Sequence, residues 1–189
     1  MQLSKLLKQK ADRVLGIDAS TASVAFCLFE DGTPVLMGKL PILGSDIYDK
    51  IKDANNKAKA IAKLCNPDYV AVESAIMVKS PDAGIKIAMV VGAILSVILK
   101  PETNVVTVAP ISWQSYIGNN NFTKAQKLEI QNQFPGKSVT WYKSKIREIR
   151  KQKTMDFFNN KFGTSISDND VGDAVGIAYY AYKTLTERV

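Results

Sequence analysis

The chain contains no histidine, which excludes imidazole general bases, Ser-His-Asp triads and His-ligated zinc in one step. Cysteine is almost as scarce. Cys27 and Cys65 lie far apart, one in a predicted strand and one late in a predicted helix, so neither a disulfide framework nor metal-type spacing is suggested. Two reduced, buried thiols in a cytoplasmic protein are the expectation. Long apolar runs are missing too. The longest, residues 85–99, is interrupted by Lys86 and falls short of the roughly 20 residues needed to cross a bilayer, so no membrane span is expected. Residues 1–10 carry lysines but no apolar stretch suited to a signal peptide, and 1–12 read as a basic N-terminal arm.

What is present is ordinary globular composition with a basic balance. The 189 residues, 46% apolar and 23% charged, suffice for one domain with a sizeable core, expected over 13–189. Lysine and arginine number 25 against 18 acids, and the resulting charge of +7 favours a polyanionic partner.

Hydrophobic periodicity predicts an α/β domain with a mixed five-stranded sheet. Strands over 13–18, 23–30 and 33–40 form an antiparallel meander, with Asp31-Gly32 as the hairpin turn. A helix over 45–65 stops at Asn66-Pro67-Asp68. Strands over 69–73 and 105–108 are nearly all apolar, as buried parallel strands are, and the helix between them, from Ser80-Pro81 to about Leu99, makes a βαβ unit. Beyond Pro110 the chain is mainly helical, over 111–117, 123–134, 143–162 and 167–186.

Four carboxylates stand at informative places. Asp18 ends the first strand in Gly16-Ile17-Asp18-Ala19-Ser20, Glu73 ends the fourth, and Asp170 and Asp173 share one face of the last helix. Three have a plain structural reading. Asp18 suits a turn cap, Glu73 a solvated strand end, and Ser167 with Asp170 matches a capping box. Asp173 has none, because it flanks the stripe Ala174, Ile177, Ala178 and Ala181, where an acid needs a partner or a metal. Together the four would form an oxygen-only pocket suited to a hard divalent cation such as Mg²⁺.

Residues 137–153 hold Lys137, Lys143, Lys145, Arg147, Arg150, Lys151 and Lys153 against the single acid Glu148, with Trp141 and Tyr142 among them. They form either a solvated helix face or a phosphate-binding one. At about 100° per residue, Lys153 falls among Ile146, Ile149 and Phe157 on the apolar side, where it either snorkels or points at the acids. Lys124 reads as a helix-start lysine unless the fold brings it to the site.

In these residues the chain resembles the RuvC family of Holliday-junction resolvases, within the RNase H-like fold, and a phage-encoded member is expected. The resemblance spans 13–182. Gly16-Ile17-Asp18 matches the first motif. Glu73-Ser74-Ala75-Ile76-Met77-Val78-Lys79, running on through Gly92, is similar to the family's glutamate-led strand, loop and long helix. Ala109-Pro110, Gly118 and Lys124 follow at family-like spacing, and Asp170 with Asp173-Ala174 closes the pattern.

The resemblance implies a homodimeric, metal-dependent endonuclease that makes paired nicks in Holliday junctions and other branched DNA. Asp18, Glu73, Asp170 and Asp173 would hold two Mg²⁺, with Mn²⁺ as a substitute, and Lys153 or Lys124 would offset charge on the scissile phosphate. Lys79, Lys143, Lys145, Arg147, Arg150 and Lys151 are the expected DNA contacts. Ile76 stands where the family places a base-contacting aromatic, and Gln114 where it places a catalytic-loop lysine. Relaxed selectivity is therefore expected, with three-way junctions and forks accepted alongside four-way ones. The long apolar helix, with Gly84, Ala88 and Gly92 at every fourth position, is the expected dimer face. Two other readings stay open: a branched-DNA binder without turnover, and an actin-like or sugar-kinase-type ATPase lobe, because Gly16-Ile17-Asp18-Ala19-Ser20-Thr21 also resembles a phosphate loop.

Overall fold

The computed structural model describes residues 13–74 and 80–187; the arm expected over 1–12 lies outside them. Strands β1 (Arg13–Ala19), β2 (Ser23–Glu30) and β3 (Thr33–Pro41) form the expected antiparallel meander. Asp31 and Gly32 both take positive φ, 49° and 82°, which a two-residue hairpin turn requires to match strand twist. Strand β4 (Tyr69–Glu73) lies parallel to β1, and β5 (Asn104–Val108) parallel to β4, giving the order β3-β2-β1-β4-β5. The mixed five-stranded sheet read from periodicity is the sheet observed.

Period-2 alternation sorts the sheet's side chains between two helical layers. Leu15, Ile17, Phe26, Leu28, Val70 and Val72 face α1 (Ile47–Cys65) and α2 (Pro81–Ile98). Val14, Ala25, Cys27, Phe29 and Ala71 face α5 (Val139–Phe162) and α6 (Asn169–Glu187). Cys27 and Cys65 are buried, unpaired and in different clusters, as their spacing suggested. On the second side, α3 (Pro110–Tyr116) packs on α6 and α4 (Lys124–Gln133) on α5.

Two helix starts differ from expectation, each through its cap. Helix α5 begins at Val139 rather than at 143 because Ser138 accepts the Trp141 amide. The first amides of α6 are capped by Asp168, whose Oδ1 accepts from Asp170 at 2.9 Å and Val171 at 3.2 Å. Ser167 thus does not form the expected capping box with Asp170. Helix α2 also needs a correction. By length and composition alone it is long and apolar enough to cross a bilayer, but Val90, Ile94 and Ile98 form a face buried in the core.

Gly16 sets the distance between β1 and α6. A β-carbon there would lie 2.4 Å from the Ala174 carbonyl oxygen and 2.6 Å from the Ala178 nitrogen, and backbone cannot yield as a side chain can. Gly176 does the same for Trp113, whose ring would lie 2.5 Å from an added β-carbon. Gly16→Ala is therefore expected to destabilise the fold by about 3 kcal/mol, the upper range for overpacking. Urea unfolding with an unchanged m-value would register this; a loss below about 1 kcal/mol would mean that α6 can retreat from β1.

Candidate active site

Alternation places Val14, Gly16 and Asp18 on the α6 side of β1, and Ala71 and Glu73 on the same side of β4. The parallel pairing of these strands brings their carboxyl ends together, beneath the first turns of α6 with Asp170 and Asp173. Neighbours carry out the local duties that could have explained these acids. Ser20 Oγ, not Asp18, accepts the turn amides of Ala22 at 3.1 Å and Ser23 at 3.2 Å. Asp168, not Asp170, caps α6. Glu73 is exposed, yet its Oε1 accepts the indole N–H of Trp113 at 3.3 Å, so this acid is held in place.

The four carboxylates act on one another. Burial, then the charges of Asp173, Glu73 and Asp170, push Asp18 up to about 7, and Lys151 acts against them. Burial also pushes Asp173 up to about 6, with Lys151 and Arg147 opposing and Glu73 and Asp170 adding. Glu73 is raised by burial, offset by the Trp113 hydrogen bond. The acids are brought into one electrostatic neighbourhood, but among the described residues no three acids converge into a formed metal cage. Like charges at this burial repel, and Asp170 is drawn off towards lysines. The donor set nevertheless fits a hard divalent cation: it is all carboxylate oxygen, and burial together with neighbouring acids makes Asp18 and Asp173 costly to ionise without one.

The expected lysines are not the ones that reach the acids. Lys153 is exposed, with its Nζ 4.9 Å from the centroid of the Phe122 ring, and Lys124 is exposed at the start of α4. Lys151 Nζ instead lies 3.8 Å from Asp170 Oδ1. Helix α5 packs through Met155 and Phe158, positions four and seven beyond Lys151, so Lys151 follows the buried stripe and Lys153 turns away. Sequence reasoning missed Lys39 entirely. Its Nζ lies 2.6 Å from Asp170 Oδ2 and 3.0 Å from Asp168 Oδ2, and hydrogen bonds to these two carboxylates raise its pKa. A signal existed: Lys39 pairs with Ala25 across β2 and β3, and Ala25 faces α6.

A cleft of about 430 Å³ opens beside the acids. Glu73 and Asp173 line it together with Lys143, Arg147, Arg150 and Lys151 of α5, and with Pro110, Gln114 and Asn119. Arg150 has a structural task as well. Its guanidinium donates to Gln114 Oε1 at 2.5 Å, Asn119 O at 3.1 Å and Asn121 Oδ1 at 2.9 Å, while its own carbonyl accepts from Asn119 Nδ2 at 2.7 Å. Lys145 pairs with Glu148 at 2.8 Å. Ile76 and Lys79 lie outside the described residues.

No protein-family model matches the chain, and no curated protein matches it in sequence. Solved structures do match. T. thermophilus RuvC in complex with a Holliday junction substrate has a TM-score of 0.64 at 12% identity, over 91% of this chain and 94% of that one. A second Thermus thermophilus RuvC structure gives 0.62 at 12% identity, over 91% and 95%. This chain has the RuvC-like fold. The yeast mitochondrial Holliday junction resolvase Ydc2 shares it at a TM-score of 0.52 and 12% identity, over 94% and 81%. Within the RuvC-like fold, the acids occupy the carboxyl ends of β1 and β4 and the start of α6.

The raised carboxyls carry a stability consequence. Between about pH 4 and pH 7 the folded chain holds protons on Asp18 and Asp173 that the unfolded chain has released, so their contribution to stability falls as pH rises through that window. In chelator at pH 8, Asp18→Asn is expected to be more stable than the unsubstituted protein, and the difference should vanish by about pH 4. Thermal melts across that range measure it; a variant less stable at pH 8 would show that Asp18 is not under repulsion.

Proposed function

We propose that this protein is a divalent-metal-dependent, structure-specific DNA endonuclease that nicks Holliday junctions and other branched DNA, acting as a homodimer. The observation that carries the reading is one cleft lined both by the acids Glu73 and Asp173 and by the cationic side chains of Lys143, Arg147, Arg150 and Lys151. A polyanion repels an acid cluster unless metal neutralises it, which disfavours a binder without turnover. The likeness in fold to proteins described as Holliday junction resolvases supports the substrate class.

In this reading Asp18, Glu73, Asp170 and Asp173 would hold the cations, whose chemistry is to activate water and neutralise charge developing on the leaving oxygen. Trp113 orients Glu73 through the indole hydrogen bond. Lys143 and Arg147, on the cleft wall, bind and align the phosphodiester backbone. Lys151 adds positive charge at the acid cluster itself, and Arg150 keeps the Gln114–Asn121 segment against the wall. Lys153 and Lys124, away from the acids, are left with long-range attraction of DNA.

The test is incubation of the purified protein with labelled four-way, three-way, forked and linear DNA, with and without Mg²⁺. Metal-dependent cutting of the branched substrates is expected. Asp18→Asn and Asp173→Asn should each lower the rate on the order of a hundredfold or more while junction binding persists, and Lys151→Met should cost far more than Lys153→Met. Binding should weaken steeply with salt, with a log–log slope on the order of −0.9 per neutralised phosphate. Near-unchanged cutting by the aspartate variants would rule out the carboxylate site.

The dimer reading rests on α2. Ile85 is 60% exposed and Met89 36%, and a β-carbon at Gly92 would meet nothing within 4 Å. This apolar face remains uncovered within the described residues. Sedimentation should give a dimer at micromolar concentration, and Ile85→Asp with Met89→Asp should shift it to a folded monomer. A monomer without those substitutions would exclude α2 as an interface.

A further inference from the structure

We propose that Lys39 is a displaceable internal counter-ion of the metal site: it holds the Asp170 carboxylate towards Asp168, and a divalent cation must displace it to recruit Asp170. The proposal rests on the metal-dependent reading above, and makes Lys39 a positioning residue rather than a catalytic one.

Both oxygens of Asp170 are faced by ammonium groups, Oδ2 by Lys39 at 2.6 Å and Oδ1 by Lys151 at 3.8 Å. Lys151 approaches from α5, which also lines the cleft, whereas Lys39 approaches from β3, an edge strand at the far side of β2. Lys39 therefore draws Asp170 towards the β3 side. Asp170 nonetheless acts by its charge on both Asp18 and Asp173, so it stands near enough to them to be recruited.

The contact is also built to release. The Lys39 side chain is 32% exposed and that of Asp170 34%, and ion pairs this open to water are weak. A doubly charged ion shared by several carboxylates outcompetes one ammonium. Asp168 gives the displaced ammonium somewhere to stay: its Oδ2 lies 3.0 Å from Lys39, while its Oδ1 is fixed by capping α6. Lys39 can thus pass from bridging two acids to pairing with one, without leaving the surface.

Calorimetric titration of the full chain with Mn²⁺, without DNA, tests this. Lys39→Met should bind Mn²⁺ about two- to fivefold more tightly than the unsubstituted protein, the range set by losing one partly exposed ion pair. Lys39→Arg, which keeps the bridge, should bind no more tightly than the unsubstituted protein. Lys143→Met removes a charge from the cleft wall without touching Asp170 and should have a smaller effect than Lys39→Met. The Mn²⁺-induced rise in melting temperature, larger in Lys39→Met, gives the same comparison if that variant is too unstable to titrate. Equal or weaker binding by Lys39→Met, with the unsubstituted protein binding Mn²⁺, would overturn the counter-ion role alone. Absence of Mn²⁺ binding in every form would overturn the metal-dependent reading and the counter-ion with it.

Discussion

Because Gly16 has no side chain, the Ala174 carbonyl and the Ala178 amide of α6 occupy the space a β-carbon would take, and this backbone contact between helix and central strand governs the rest of the molecule. Asp18 lies two residues beyond Gly16 on the same face, and Asp173 one residue before Ala174. A larger residue at 16 would not only strain the core but move two acids away from two others. The small residues of α6 belong to the same constraint. Gly176 admits Trp113, and Trp113 in turn holds Glu73. Packing that looks like an ordinary helix-on-sheet contact therefore fixes three of the four carboxylates.

The arrangement is electrostatically costly to the folded chain. Asp18 and Asp173 are half-buried near groups of like charge, so the fold carries a tension that no apolar contact relieves. Lysines relieve part of it, and from different directions: Lys151 from α5 and Lys39 from β3. A basic surface on a chain of charge +7 serves two purposes at once, offsetting the acids and meeting a polyanion. The proposed metal would complete what the lysines leave undone.

Much of this was legible in the sequence, because the strongest signals there were periodic. Alternation marked the three meander strands, continuous apolar runs marked β4 and β5, and Asp31-Gly32 marked the hairpin. The errors came where a side chain's role depends on a neighbour one or two residues away. Ser20 and Asp168 take the turn and cap that Asp18 and Asp170 could have taken, and nothing in local propensity chooses between Ser167 and Asp168 as a cap. Lys153 was placed on the apolar side by Ile146, Ile149 and Phe157, which are only half-buried. The face that decides is the one packed on α6 through Met155 and Phe158. Lys39 was hidden for another reason: its partners are 129 and 131 residues away, joined only by strand pairing.

The position of Gln114 ties these threads together. The resemblance puts a lysine there, on the segment after β5, yet the residue is a neutral amide whose oxygen accepts from Arg150. The cationic side chains that line the cleft all stand on α5. Arg150 grips Gln114, Asn119 and Asn121, and Lys151, the next residue, faces Asp170. Gln114 itself lies in α3, and the cations on α5 are set by Met155 and Phe158 in the core. The Arg150 hydrogen bonds fasten the loop to the helix, so the wall and the acids form one continuous packed unit through α5, α6 and β1. Charge placement at the site is then a property of helix packing, and the same small-residue contact at Gly16 that positions the acids also sets how far the cationic wall stands from them.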